Sequence, residues 1–221
     1  MTRSLLPSAL CLLSACALAG GEIIDRIAIT VGNEVITESQ IIEELRVTAF
    51  LNHDKLDLSL EARRLAAARL IEQALVRREM ELSRYPAPSA NDAEVSLKSV
   101  QAMYPSEQQY QKQLDDYGIT EDALKRRLLW QLTLLRFVDF RFRPGIQIAD
   151  SDVQAYYQQQ RSEWQKKGVK PIPSLEETRA QIEEILTQNA IDQALDRWIT
   201  DQQTQMTIRY LDKSLRGEAL P

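Results

Sequence analysis

The sequence predicts a mainly helical fold with a small β-sheet that joins the two ends of the mature chain. Three observations carry that expectation. Only 7 Gly and 8 Pro in 221 residues argue against a loop-rich all-β fold. Capping signatures recur through the middle of the chain, each ahead of a run with helical apolar spacing. One segment with strand alternation lies near each end, and an isolated hairpin is marginal in water, so each needs the other.

The chain opens with Arg3, an uncharged apolar run from Leu5 to Leu18, and the small-x-small pattern Ala17-Leu18-Ala19. Residues 1–19 therefore read as a secretory signal peptide, too short for a membrane span, with cleavage expected after Ala19. Leu13-Ser14-Ala15-Cys16 also fits a bacterial lipobox, so the alternative is a lipoprotein anchored at Cys16. Cys11 and Cys16 both lie in this segment, and a chain beginning at Gly20 has no thiol for a disulfide, a thiolate nucleophile or a Cys-based metal site.

In the first strand, Ile27, Ile29 and Val31 alternate with Ala28 and Thr30. Gly32-Asn33 is a two-residue hairpin turn, since both residues tolerate positive φ. Thr37-Glu38-Ser39-Gln40 is a capping box, and Ile36 and Ile41 take the two positions of a hydrophobic staple, which predicts a helix from about Thr37 to Asn52. After a polar link the next helix runs from about Ser59 to Arg84, with Ala67, Leu70, Ile71, Ala74, Leu75 and Leu82 on one face. Pro86 and Pro88 end it.

Ser89 caps a third helix reaching about Met103, and Ser106 to Gln109 reads as a second capping box for a fourth, closed at Gly118. Thr120 opens a fifth whose apolar density predicts the central, most buried helix. Ile146 to Ile148 is a short extended piece, and Asp150 is expected to cap a sixth helix carrying Tyr156 and Tyr157. Residues 165–173, "QKKGVKPIP", form a linker. Ser174 to Glu177 is a third capping box, opening a helix to about Gln203 with Ile191, Ala194, Leu195, Trp198 and Ile199 on one face. Met206, Ile208 and Tyr210 then alternate with polar neighbours as a closing strand, expected to pair with the first.

"IIDRIAITVGNEVITESQIIEEL", Ile23 to Leu45, resembles the opening strand, turn and helix of the SurA-like periplasmic chaperones, which belong with the trigger factor and PrsA-type chaperones. "RLIEQALVRREME", Arg69 to Glu81, is similar to that family's second helix. "SANDAEVSLKSV", "YQKQLDDYGITEDALKRRL" and "IQIADSDVQAYYQQ" follow in the family's order, and "SLEETRAQIEEIL" to "RWITDQQTQMTIRYL" resembles its closing helix and strand. The resemblance implies one chaperone domain over 20–221. Its N-terminal helical part is 20–164, and 174–211 packs back on the N-terminus. The family usually inserts parvulin prolyl-isomerase domains before the last helix, where this chain has only 165–173. The implied function is an ATP-independent periplasmic chaperone binding unfolded or nascent exported proteins, outer-membrane proteins among them, without catalysis or cofactor. A peptidyl-prolyl isomerase, or an envelope adaptor that reuses the fold, are the alternatives.

No residue pattern names a catalytic, cofactor or metal site, and the position of a peptide-binding site is not legible. His53, the one histidine, reads as a solvated loop residue. Glu43-Glu44, Asp115-Asp116 and Glu183-Glu184 read as solvated faces, because helix neighbours point about 100° apart. No G-x-S-x-G nucleophile motif or Gly-rich phosphate loop occurs, and no basic patch suits nucleic acid. Met80, Tyr85, Met103, Tyr104 and Tyr110 are residue types that serve adaptable binding surfaces, but each reads first as ordinary core and together they name no substrate site.

Overall fold

The computed structural model describes residues 25–83 and 85–216. The signal-peptide reading of 1–19, with its sites at Ala19 and Cys16, lies outside them. Among the described residues the fold is mainly helical, with seven α-helices and one three-stranded antiparallel sheet. Strand β1 (Ile27–Val31) forms a hairpin with β2 (Glu34–Thr37) across Gly32, whose φ of 58° makes the turn. Strand β3 (Ile208–Tyr210) pairs with the other edge of β1, in the register Ile29 to Tyr210, Thr30 to Arg209 and Val31 to Ile208. The two end segments thus complete one sheet of order β2-β1-β3. A register shift between Ile27 and Ile29 breaks the expected alternation: Ile27 is exposed and Ala28 is buried beside Ile29.

Helix α1 (Glu38–Asn52) starts as its sequence dictates. Thr37 Oγ1 accepts from the Gln40 amide at 3.3 Å, and Gln40 Oε1 accepts from the Thr37 amide at 2.8 Å. Helix α2 (Leu60–Ser83) buries Ala67, Ile71, Ala74 and Leu75 against the sheet, but Leu82 is exposed near the helix end. Helix α3 (Ala90–Gln101) has a reciprocal cap between Ser89 and Asp92. Helix α4 (Glu107–Tyr117) begins at Ser106, whose hydroxyl accepts from the Gln109 amide, and ends at Gly118 with φ 63°.

Helix α5 (Glu121–Arg141) is not the most buried element. It buries Ala123, Leu124, Leu128 and Phe137, whereas the shorter α1 buries six residues. Its surplus apolar side chains Leu135 and Phe140 are 62% and 59% exposed, because α5 has neighbours on only part of its circumference. Helix α6 (Asp150–Lys166) is preceded by Ala149 at the capping position with no side-chain cap. Asp150 lies one place inside, where it accepts from Arg179 of helix α7 (Leu175–Gln205) at 2.6 Å. Residues 167–174 link α6 to α7, and the Ser174–Glu177 cap opens α7 with Ser174 N donating to Glu177 at 2.7 Å.

Four apolar clusters result. The sheet, α1 and α2 enclose the first, around Ile29, Ile36, Ile41 and Leu75. Helices α1, α3, α4 and α5 enclose the second, around Phe50, Leu97, Tyr110 and Leu124. The third joins Val76 of α2, Phe137 of α5 and Ile191 of α7. The fourth, around Val153, Tyr157 and Ile182, holds α6 against the first half of α7.

Candidate functional site

Helices α1, α2 and α5 meet at one carboxylate. Glu44 of α1 is 7% exposed, so it is not the solvated residue that its sequence position implies. It accepts from Arg69 Nε of α2 at 3.1 Å, and both its oxygens accept from Arg127 Nη1 of α5 at 3.1 Å. Thr48 Oγ1, one turn on, donates at 3.4 Å. Its neighbour Glu43 takes Arg126 in a bidentate pair at 2.9 and 3.0 Å at the surface. Arg77 of α2 pairs with Glu34 of β2 and lies over the Trp130 ring of α5, 5.6 Å from its centroid.

This lattice lines a cleft of about 190 Å³ between β2, α1, α2 and α5, which also exposes Val35. Gln73, Arg127 and Trp130 form its far wall and the near wall of a second cavity, of about 140 Å³, between α2, α5 and α7. The second cavity is the apolar one. Val76, Trp130, Leu134, Leu195 and Ile199 make most of its lining, with Arg69 and Glu72 at its polar side. Four of those residues, Val76, Trp130, Leu134 and Leu195, belong to the third apolar cluster. In that cluster Tyr85 sets its ring edge-on to Phe137 and to exposed Phe140, at 5.6 and 5.2 Å.

Glu72 is the electrostatically uncomfortable group here. Burial raises its pKa, the Asp196 carboxylate of α7 raises it further, and Arg69 only partly compensates. Glu72 makes no hydrogen bond or ion pair with any described residue, because the nearby guanidiniums of Arg69 and Arg127 are committed to Glu44.

A wider trough of about 610 Å³ runs along the start of α1, beside Asp25, Ile42, Arg46 and Gly118. Its polar groups are mostly satisfied from within. Ser39 donates to Asp25 through both hydroxyl and amide and holds that carboxyl below its ordinary value, and Arg46 donates to the Gly118 carbonyl at 3.1 Å.

The residue types singled out in the sequence separate in space. Met80 and Tyr85 border the apolar cavity's cluster, whereas Tyr104 and Tyr110 pack on Phe50 in the second core. Tyr110 is wholly buried, and burial with nearby Glu121 pushes its hydroxyl up to about 12. Met103 is exposed and His53 caps α1 at the surface with φ 58°. Asp116 and Glu184 are surface carboxylates engaged by Lys112 and Arg143. The Glu44 clamp was missed because its sequence signal, an adjacent acidic pair, is the signal of an ordinary wet helix face. Among the described residues no group of three or more His, Cys, Asp or Glu is placed to hold a metal ion, and no helix is long and apolar enough to cross a membrane.

Compared with known protein families and with curated proteins, the chain matches none.

Proposed function

We propose that the chain is an ATP-independent periplasmic chaperone that holds unfolded or nascent exported proteins, outer-membrane proteins among them, and acts without catalysis. The observation that supports this reading best is the apolar cavity between α2, α5 and α7, bordered by a cluster whose Tyr85 packs edge-on to Phe140, which is 59% exposed. At about 140 Å³ it is well below the roughly 300–1,000 Å³ of a small-molecule site and suits a single side chain of a longer chain. Burying one Leu or Phe side chain contributes about 1.5–3 kcal/mol. Association costs about 4 kcal/mol or more. One anchor therefore gives weak, rapidly reversed binding, and several along a client give useful retention. That is the behaviour required of a holdase that releases without nucleotide.

On this reading residues 20–221 are one chaperone domain, with residues 165–173 a plain connection where relatives in the resembled family carry an isomerase. Isomerising an X-Pro bond means lowering a barrier of about 18–20 kcal/mol in a shaped pocket. Holding an extended segment requires only apolar area and freedom to release. The test pairs two assays on purified protein: light scattering of a denatured outer-membrane protein, and cis/trans relaxation of a prolyl peptide. Suppressed scattering at stoichiometric chaperone, with peptide relaxation at the background rate, is the expected result. Relaxation above background would replace this reading with the isomerase, and no effect in either assay would leave an adaptor. Intact-mass analysis of the envelope form tests export: a start at Gly20 is expected, and added lipid on Cys16 would instead mark an anchored form.

A further inference from the structure

Among the polar groups of the apolar cavity, Glu72 is the one acid, and the holdase reading does not use it. We propose, resting on that reading, that the cavity takes a lysine side chain from an otherwise apolar client segment, its aliphatic stem along Val76, Trp130, Leu134 and Leu195 and its ammonium at Glu72.

The argument is one of complementarity in shape and charge. The lining is apolar on α7 and, apart from Arg127, on α5, and it carries its one acid, Glu72, on α2 beside Arg69 and Gln73. A side chain that is apolar for four carbons and cationic at its tip matches that distribution. Neutral aliphatic side chains fill the volume but leave Glu72 half-buried beside them with nothing to pair.

The charged groups around Glu72 decide the sign. On its own helix are Arg69, spent on Glu44, and Arg77, spent on Glu34 and stacked on Trp130. From α5 comes Arg127, also spent on Glu44. From α7 comes Asp196, which adds negative potential. Three guanidiniums, Arg69, Arg77 and Arg127, thus face four carboxylates, Glu34, Glu44, Glu72 and Asp196, which leaves the set one negative charge in excess. An ammonium placed beside the Glu72 carboxylate favours its charged form and offsets the cost of its partial burial. Lysine fits better than arginine, because its compact ammonium needs one acceptor whereas a guanidinium demands a planar bidentate partner.

The probes are fluorescein-labelled ten-residue Leu/Ser peptides that carry one central lysine, arginine, norleucine or glutamate, titrated by anisotropy at pH 7.5. The lysine peptide is expected to bind about tenfold tighter than its norleucine isostere, the size of one charge-assisted contact in a partly desolvated site. The lysine-to-norleucine ratio should collapse to within about twofold in Glu72→Gln and fall partway in Asp196→Asn. It should also shrink in wild type as pH is lowered and Glu72 takes up a proton. Leu134→Trp, which fills the cavity, should weaken both peptides. Equal binding of lysine and norleucine peptides, or a ratio untouched by Glu72→Gln in a variant with wild-type circular dichroism, would overturn the lysine site. If clients are still held in solution in that event, the chaperone reading stands without it. If no peptide binds and no client is held, both fall together.

Discussion

Removal of the Glu44 carboxylate should loosen three helices at once. In Glu44→Ala the guanidinium of Arg127, whose side chain is 18% exposed, loses both acceptor oxygens and stays enclosed by α1 and α5. Arg69 is 37% exposed and recovers water, so its loss is small. Breaking a buried pair by deleting one partner costs about 3–5 kcal/mol. The partial exposure of Arg69 places Glu44→Ala near the lower figure, about 3 kcal/mol. For a chain of this size each kcal/mol moves Tm by about 2–4 °C. The expected fall is therefore about 6–12 °C, read by circular dichroism at pH 7. The companion variant is Glu44→Leu with Arg127→Leu, which removes the orphaned charge and refills the space. It should recover at least half of the loss, since a buried ion pair exchanged for packed apolar groups is often close to neutral. A Glu44→Ala Tm within about 2 °C of wild type, or a double variant less stable than the single one, would refute the clamp as the joint of α1, α2 and α5.

Gly118→Ala places a Cβ 3.1 Å from Arg46 Nη1 at a φ of 63° and should cost about 1–2 kcal/mol, whereas Gly145→Ala, with open space around its Cβ, should leave the melting curve unchanged. The carboxyls of Asp92 and Glu177 are held below their ordinary values chiefly by the amides of Ser89 and Ser174, so their stabilisation is present above those ordinary values and lost as pH falls through the lowered ones. Asp92→Asn with Glu177→Gln, which remove the charge and keep the shape, should accordingly lower Tm by a few °C at pH 7 and by much less at pH 3. Glu72 has the opposite sign: its raised value means that the charged form is disfavoured in the fold, so Glu72→Gln should raise Tm at pH 7 and converge with wild type below pH 4.5. Truncation after Gln203 removes β3 and the buried Leu215, and hydrogen exchange should show the Thr30 amide losing protection; unchanged exchange there would contradict the sheet's register.

Helix starts were the most legible part of the sequence, because a cap is a contact between residues three apart. Thr37 with Gln40 and Ser174 with Glu177 could be read from four letters each. The pairing of β1 with β3 was legible for another reason: a hairpin too small to stand alone and a lone closing strand leave each other as partners. Tertiary competition defeated local reading elsewhere. Asp150 has the composition of a cap but lies within reach of Arg179 on another helix, and that contact holds it inside α6. The apolar density of α5 implied all-round burial, yet density does not reveal how many neighbours a helix has, and Leu135 and Phe140 face outward. The candidate cavity was illegible for the same reason. Its walls come from Val76, Leu134 and Leu195 on three helices, each of which reads alone as ordinary core.

The register of β1 against β3 also imposes an order of events on the newborn chain. Thr30 leaves the ribosome about 180 residues before Arg209, the residue that it pairs with. At roughly 5–20 residues per second, that interval is on the order of ten to thirty-odd seconds. During it, β1 has β2 on one edge and α1 and α2 on one face, but its second edge is unpaired. Closure of so long a loop is entropically unfavourable and ranks among the slow steps of folding. The chain is thus unable to finish its fold until its last strand is delivered.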